Sequence, residues 1–213
     1  MPRTVTAVAI IHRAQLNPSK NDLLRAWVPK QPWIGSVDCS SLERVDAYRF
    51  DDPDGEVGIE THLMRSADGR FLQVPLTYRG APLDGAENAL IATMDHSVLG
   101  ERWVYDACCD PVYVSAVATA ILTGGAGVDL VFADTADHIP VTAHVVGSDT
   151  AGASVPAVES VTCSTVGTDT IISAGDLELT VVRVIDADRV SGSAMLTGTW
   201  PGQTNPALLA FVG

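Results

Sequence analysis

The sequence predicts an α+β fold: an antiparallel sheet with packed helices, followed by a β-rich region. Three observations lead there. Strand-like runs separated by turn residues fill the stretch from Leu42 to Tyr78. A helix signal lies on either side of it, one after Ser19 and one at Asp110-Pro111. Beyond Gly127 the texture changes to short runs rich in valine, threonine, glycine and alanine, the pattern of an antiparallel sheet or a partly closed barrel. The expected division is residues 1–126 for the α+β part and 127–213 for the β-rich part.

The elements follow in order. Val5 to His12 alternates as a strand does. Ser19 offers an N-cap hydroxyl to a helix whose Leu23, Leu24, Trp27 and Val28 share a face, and Pro29 ends it. Lys30 to Gly35 is a turn that presents Trp33. Strands are predicted at Leu42 to Phe50, Val57 to Met64 and Phe71 to Tyr78, joined by Asp51-Asp-Pro-Asp-Gly55 and Ser66-Ala-Asp-Gly69. In the second strand Ile59, Thr61 and Leu63 form a dry face and Gly58, Glu60 and His62 a wet one.

Ala86 to Met94 reads as a short helix or an irregular crossing, and Glu101 to Tyr105 as a strand. The clearest helix starts at Asp110-Pro111, carries Val114, Val117, Ala118, Ile121 and Leu122 on its apolar side, and ends at Gly124-Gly125. Later strands are predicted at Val128–Phe132, Val141–Val146, Val158–Val166, Leu177–Ile185, Met195–Thr199 and Leu208–Val212, with Ser148 to Pro156 as a flexible loop.

A chain of 213 residues with 46% hydrophobic and 18% charged residues can bury a sizeable core and is not a disordered polyelectrolyte. Its 26 acidic and 13 basic side chains leave a net charge of −13. That sign excludes nucleic acid and anionic lipid as expected partners. The apolar run near the start is short and reads as a first strand rather than a leader. Val112 to Leu122 is too short to span a bilayer, so a soluble, cytoplasmic protein is expected, with no membrane partner.

Signatures of chemistry are sparse. Gly124-Gly-Ala-Gly127 follows a helix and lacks the Gly-Lys-Ser/Thr ending of a phosphate loop, so it reads as a helix cap. His12, His62, His96, His138 and His144 form no metal-binding pair with cysteine or carboxylate at zinc spacing. No catalytic residue, metal or cofactor is expected. Cys39, Cys108, Cys109 and Cys163 are scattered, and free buried thiols are the expected state.

A set of motifs recurs in order between Leu23 and Leu122: Leu23-Leu-Arg-Ala-Trp-Val-Pro-Lys-Gln-Pro-Trp33, Gln73-Val-Pro-Leu-Thr-Tyr-Arg-Gly80, Ala89-Leu-Ile91, and Trp103 to Val114. This set resembles the N-terminal cap domain of actinobacterial maltokinases and related aminosugar kinases. The later β-rich region resembles part of a kinase N-lobe. There are departures: Pro32 and Ile34 stand where relatives carry arginine and an aromatic residue, and Ala107-Cys-Cys-Asp-Pro111 replaces a Gly-Pro-His-Asp-Pro run.

In a kinase of that family the resemblance implies a nucleotide-anchoring lysine on a strand, a catalytic aspartate and a metal-binding aspartate. Only Lys20 and Lys30 occur here, both in the first elements, and the catalytic loop would belong to a C-terminal lobe outside this sequence. Independent enzyme activity is therefore not expected. The leading expectation is a non-catalytic cap-like protein that acts through a protein partner or self-association, linked by resemblance to α-glucan, trehalose or aminosugar metabolism. The alternatives are a small-ligand (sugar) binding protein and one half of a split sugar kinase. Trp33, Tyr78, Arg79, Asp106 and Asp110 are the candidate ligand or partner surface.

Overall fold

Turns rich in aspartate and glycine cut the chain into short strands. The computed structural model describes residues 8–149, 154–192 and 194–213. In chain order the strands before the main helix are β1 (Val8–Ile11), β2 (Leu16–Asn17), β3 (Leu42–Phe50), β4 (Gly58–Ser66), β5 (Phe71–Arg79), β6 (Leu90–His96) and β7 (Gly100–Asp106). Helix α1 (Lys20–Trp27) lies between β2 and β3, and helix α2 (Pro111–Thr123) follows β7. After α2 come β8 (Asp129–Phe132), β9 (His138–Ile139), β10 (His144–Gly147), β11 (Thr162–Val166) and β12 (Asp169–Ala174). The last four are β13 (Leu177–Val182), β14 (Val184–Ile185), β15 (Met195–Trp200) and β16 (Gln203–Val212).

The described strands form three sheets. A seven-stranded sheet has the order β2-β6-β7-β5-β4-β3, with β14 added beside β5. A six-stranded antiparallel sheet has the order β10-β15-β16-β13-β12-β11. A small sheet pairs β1 in parallel with β8, and β8 with β9.

Both faces of the seven-stranded sheet are covered. Leu23, Leu24, Val28 and Trp33, from α1 and the two 3-10 turns after it, pack on Met64, Leu72, Val74, Leu76 and Val104. On the other face Tyr48, Phe50, Ile59 and Leu63 join α2 and the inner side of the six-stranded sheet in a second cluster. The expected wet face of β4 is therefore dry: Glu60 is 5% exposed and His62 fully buried. Lys20 and Tyr78 close over them, contacts between distant elements that alternation along one strand does not reveal.

The predicted fold class is overturned. The chain is mostly β, 46% strand and 16% helical, with two α-helices among the described residues, rather than an α+β cap built on packed helices. Two segments explain much of the difference. The stretch read as a short helix or crossing is a single 3-10 turn, Glu87–Ala89, followed by β6, which pairs with β7 from Leu90 to His96. Helix-favouring alanine and leucine give way there to hydrogen bonding with a neighbouring strand and to burial of Met94. Strand β12 was not anticipated; Gly167, at φ 61°, turns the chain so that Asp169–Ala174 pairs back on β11. The predicted loop from Ser148 to Pro156 falls partly outside the described residues, as does the start of the first predicted strand.

Helix boundaries follow their caps. The Ser19 hydroxyl accepts the Asp22 amide N–H at 3.2 Å, and the Asp110 carboxylate accepts that of Val112 at 3.0 Å. Gly124 ends α2 in the left-handed conformation at φ 68°, with its N–H on Ala120 O. At the same end β10 crosses the helix so closely that a Cβ on Gly147 would lie 1.9 Å from the Ala120 carbonyl oxygen. Only a residue without a side chain permits that crossing.

Candidate functional site

The five predicted surface residues are placed in structural contacts. Trp33 is 2% exposed, beneath the α1 face of the sheet. The Tyr78 hydroxyl lies 3.1 Å from His62 Nε2, and the Lys20 ammonium sits 4.9 Å over its ring. Arg79 grips Asp110 with two hydrogen bonds of 2.7 and 2.6 Å, while Asp110 also caps α2. Asp106 accepts both the Cys108 amide N–H and the Arg183 guanidinium. The structure thus joins Arg79 to Asp110, and sets Tyr78 in a different group with Lys20 and His62.

Two connections between the sheets were not read from sequence. Arg183, fully buried between β13 and β14, donates to Asp106 at the end of β7 and to Thr170 on β12, with its guanidinium 5.1 Å from the Trp33 ring. Gln73 accepts from the Tyr48 hydroxyl at 2.6 Å and donates to the carbonyls of Val182 and Leu209. Both are buried polar groups placed where the two large sheets meet.

A charged centre occupies the α1 face at the β3–β4 edge. Glu60 meets the Lys20 ammonium, Arg49 Nη2 at 3.1 Å, Arg44 Nη1 at 3.9 Å and His62 Nε2 at 3.6 Å. Burial alone would raise the Glu60 carboxyl, but Arg49 and Lys20 hold it well below the usual value. Burial pushes His62 down to about 3, against the pull of Glu60, so its ring is neutral at pH 7. Burial also lowers the Lys20 ammonium, which Glu60 opposes. Strand register places Arg49 directly opposite Glu60, but the contribution of Lys20 from α1 has no local signature.

The opposite face of the sheet carries a cleft of about 390 Å³ beside α2. Its floor includes Val112, Ser115, Ala116, Thr119 and Thr123, and its walls include Phe50, Val128 and Val158. Asp51, Asp52 and Asp54 form one rim. Asp52 is tied down by the amides of Asp54, Glu56 and Val57. Burial raises the Asp51 carboxyl, and neighbouring Asp52 adds to the effect.

The cysteines differ from expectation. Cys109 and Cys163 form a disulfide, with Cα atoms 5.7 Å apart and a sequence separation of 54. Cys39 and Cys108 are free. Burial pushes the Cys108 thiol well up, so it is not a reactive thiolate. The Cys109 partner lies on β11, and only the folded chain brings that strand to the turn preceding α2.

The sheet from β3 to β7, covered on one face by α1 and on the other by α2, forms a β-rich module. Residues 27–110 match the family model of the maltokinase N-terminal cap domain. Residues 27–110 therefore form a maltokinase N-terminal cap-like domain. No curated protein matches it. No helix among the described residues is long and apolar enough to cross a membrane.

Proposed function

We propose that this chain is a non-catalytic, cap-like module that works by docking a protein partner in the cleft beside α2. One observation carries the reading. Helix α2 contains no charged residue from Pro111 to Thr123, yet Ser115, Ala116, Thr119 and Thr123 line an open cleft instead of a closed core. That outer side carries small side chains and hydroxyls without charge, a surface that a docked segment covers at little desolvation cost.

The rim selects the partner. Asp51 and Asp54 stand at the cleft mouth of a chain whose net charge is −13, so a segment with an apolar face and basic flanks is favoured. A second copy would bring the same acidic rim, which disfavours self-association through this face. The lysine positions agree with a non-catalytic role: Lys20 begins α1, Lys30 ends a 3-10 turn, and neither lies on a strand. By its family likeness the module belongs near α-glucan, trehalose or aminosugar metabolism. A cytoplasmic setting is part of the reading, in which the Cys109–Cys163 bond responds to the redox poise of the cell.

The test compares the wild-type chain with Thr119→Arg, which places a long cation in the cleft, as baits in cell extract at low and high salt. A basic protein retained by wild type, lost with Thr119→Arg and released by salt is the expected result. Identical captured sets from both baits would end the docking reading. The cleft volume, its hydroxyls and its carboxylates also favour a second reading, a small polar ligand such as a sugar. Thermal shift with maltose, trehalose and glucosamine separates the two, because a sugar ligand stabilises the isolated chain and a protein-docking surface does not respond.

A further inference from the structure

Glu60 is a single carboxylate facing three cations, Lys20, Arg44 and Arg49, all within 4 Å of its oxygens. His62, the fourth neighbour, is neutral at pH 7 and restores no balance. The centre therefore holds two positive charges in excess, within a chain that is acidic overall.

The excess reaches solvent chiefly through Arg44. Relative side-chain exposure is 40% for Arg44, 23% for Lys20 and 16% for Arg49, against 6% for Glu60. The carboxylate thus lies at the bottom with the cations around its outer side. A guanidinium carries five N–H donors in a planar fork. Arg49 approaches Glu60 through Nη2, at 3.1 Å, and Arg44 through Nη1, at 3.9 Å. Among the described residues neither guanidinium forms an ion pair with another carboxylate, so their remaining donors have no carboxylate partner. The Arg79, Arg183 and Arg189 forks differ, each being hydrogen-bonded to the carboxylate of an aspartate.

The cations are also held in place. The Lys20 ammonium rests on the Tyr78 ring and on Glu60, and strand register sets Arg49 opposite Glu60, with which it forms an ion pair. Positioned donors lose little freedom on meeting a ligand, which is what a weakly exposed anion site needs.

From this geometry we infer that Lys20, Arg44 and Arg49 form a binding site for a doubly charged oxyanion, with phosphate as the best-matched group. Two excess charges match a dianion, and the guanidinium edges suit its tetrahedral oxygens. Glu60 acts as a positioning residue: it gathers the three cations and does not itself touch the anion. The site lies on the face of the sheet opposite the α2 cleft, so it stands or falls independently of the docking reading.

The experiment is calorimetric titration of the purified full chain with inorganic phosphate at pH 7.5, with acetate and chloride at matched ionic strength as controls. Saturable binding of phosphate, at least tenfold tighter than acetate, is expected. Arg49→Gln and Arg44→Gln should each weaken it tenfold or more, whereas Arg13→Gln, which alters an exposed arginine paired with Asp134, should leave it unchanged. Titration with glucose 1-phosphate distinguishes a phosphate ester from free phosphate as the preferred form. Should Arg49→Gln fail to fold, Arg44→Gln carries the test alone, since Arg44 is the most exposed of the three and the farthest from Glu60. Phosphate heats no greater than those of chloride, or an unchanged affinity in Arg44→Gln, would overturn the site.

Discussion

Arg183 places one guanidinium nitrogen 2.6 Å from each carboxylate oxygen of Asp106, joining the six-stranded sheet to the last residue of β7. The two ends differ in burial: the arginine side chain is fully enclosed and the aspartate 15% exposed. Burial opposes the charge on Arg183, and Asp106 outweighs it, raising the guanidinium above its usual value.

That difference predicts an ordered pair of variants. Asp106→Ala strands a cation where water cannot reach, at about 3 kcal/mol of folding stability. Arg183→Met leaves a carboxylate that still touches solvent and should cost roughly half as much. Urea unfolding of the two single variants and the double variant checks this. A double variant no worse than Asp106→Ala is the expected result, since the stranded charge is then gone.

The Cys109–Cys163 bond closes 54 residues of chain. Cross-linking a loop of that length restrains the unfolded ensemble by about 4 kcal/mol on a chain-entropy basis. Cys163→Ser, or dithiothreitol on the wild type, should lower the urea midpoint accordingly. Intact mass with and without reductant should differ by the two hydrogens of one disulfide.

His62 makes stability depend on pH in a definite direction. Its folded value near 3 lies below the ordinary 6.5, so the unfolded chain binds the proton more readily. Stability is then fully present above about pH 6.5 and falls as the solution is acidified, by up to ~1.4 kcal/mol per pH unit for this group. The Glu60 contribution has the same sign but is lost only below its ordinary 4.5. His62→Gln should therefore flatten the unfolding free energy between pH 6.5 and 4.5. Burial also lowers His96, whose share of the slope persists in both proteins, so their difference is the quantity to measure.

Gly147→Ala tests the crossing of β10 over α2. The new methyl would lie 1.9 Å from the Ala120 oxygen and 2.8 Å from the Ile121 Cα, both backbone atoms. Strand and helix must separate, with a loss of roughly 2 kcal/mol or more. Gly167→Ala meets no atom within 4 Å and is strained only by its φ of 61°, so it should cost less. Thermal melts of the two variants rank them.

Local signals were legible in the sequence and spatial ones were not. Ser19, Asp110, Pro111 and Gly124 bracket their helices because a cap acts through the few residues beside it. Strands β3, β4 and β5 were visible through alternation and the turns between them. Strand β6 was hidden because Leu90-Ile-Ala-Thr-Met94 suits either state, and pairing with β7 decides it. Glu60 and His62 were assigned to water because nothing in β4 announces Lys20 above them. The motif order from Trp27 to Asp110 identified the cap-like domain, since those residues follow one another in the chain. Arg183, Gln73 and the Cys109–Cys163 bond act between segments far apart in sequence, where a linear reading has no purchase.

The pairing of β14 with the first residues of β5 has a consequence for how the molecule is made. β7 borders β5 only from Leu76 to Arg79, so the edge at Phe71 and Leu72 is closed by Ile185 and Val184. The Gln73 backbone N–H, at the same edge, donates to the Arg183 carbonyl at 2.8 Å. During synthesis that edge stays bare until Val184 and Ile185 have left the ribosome. A fragment ending at the cap would carry it permanently, as a template for stray strands.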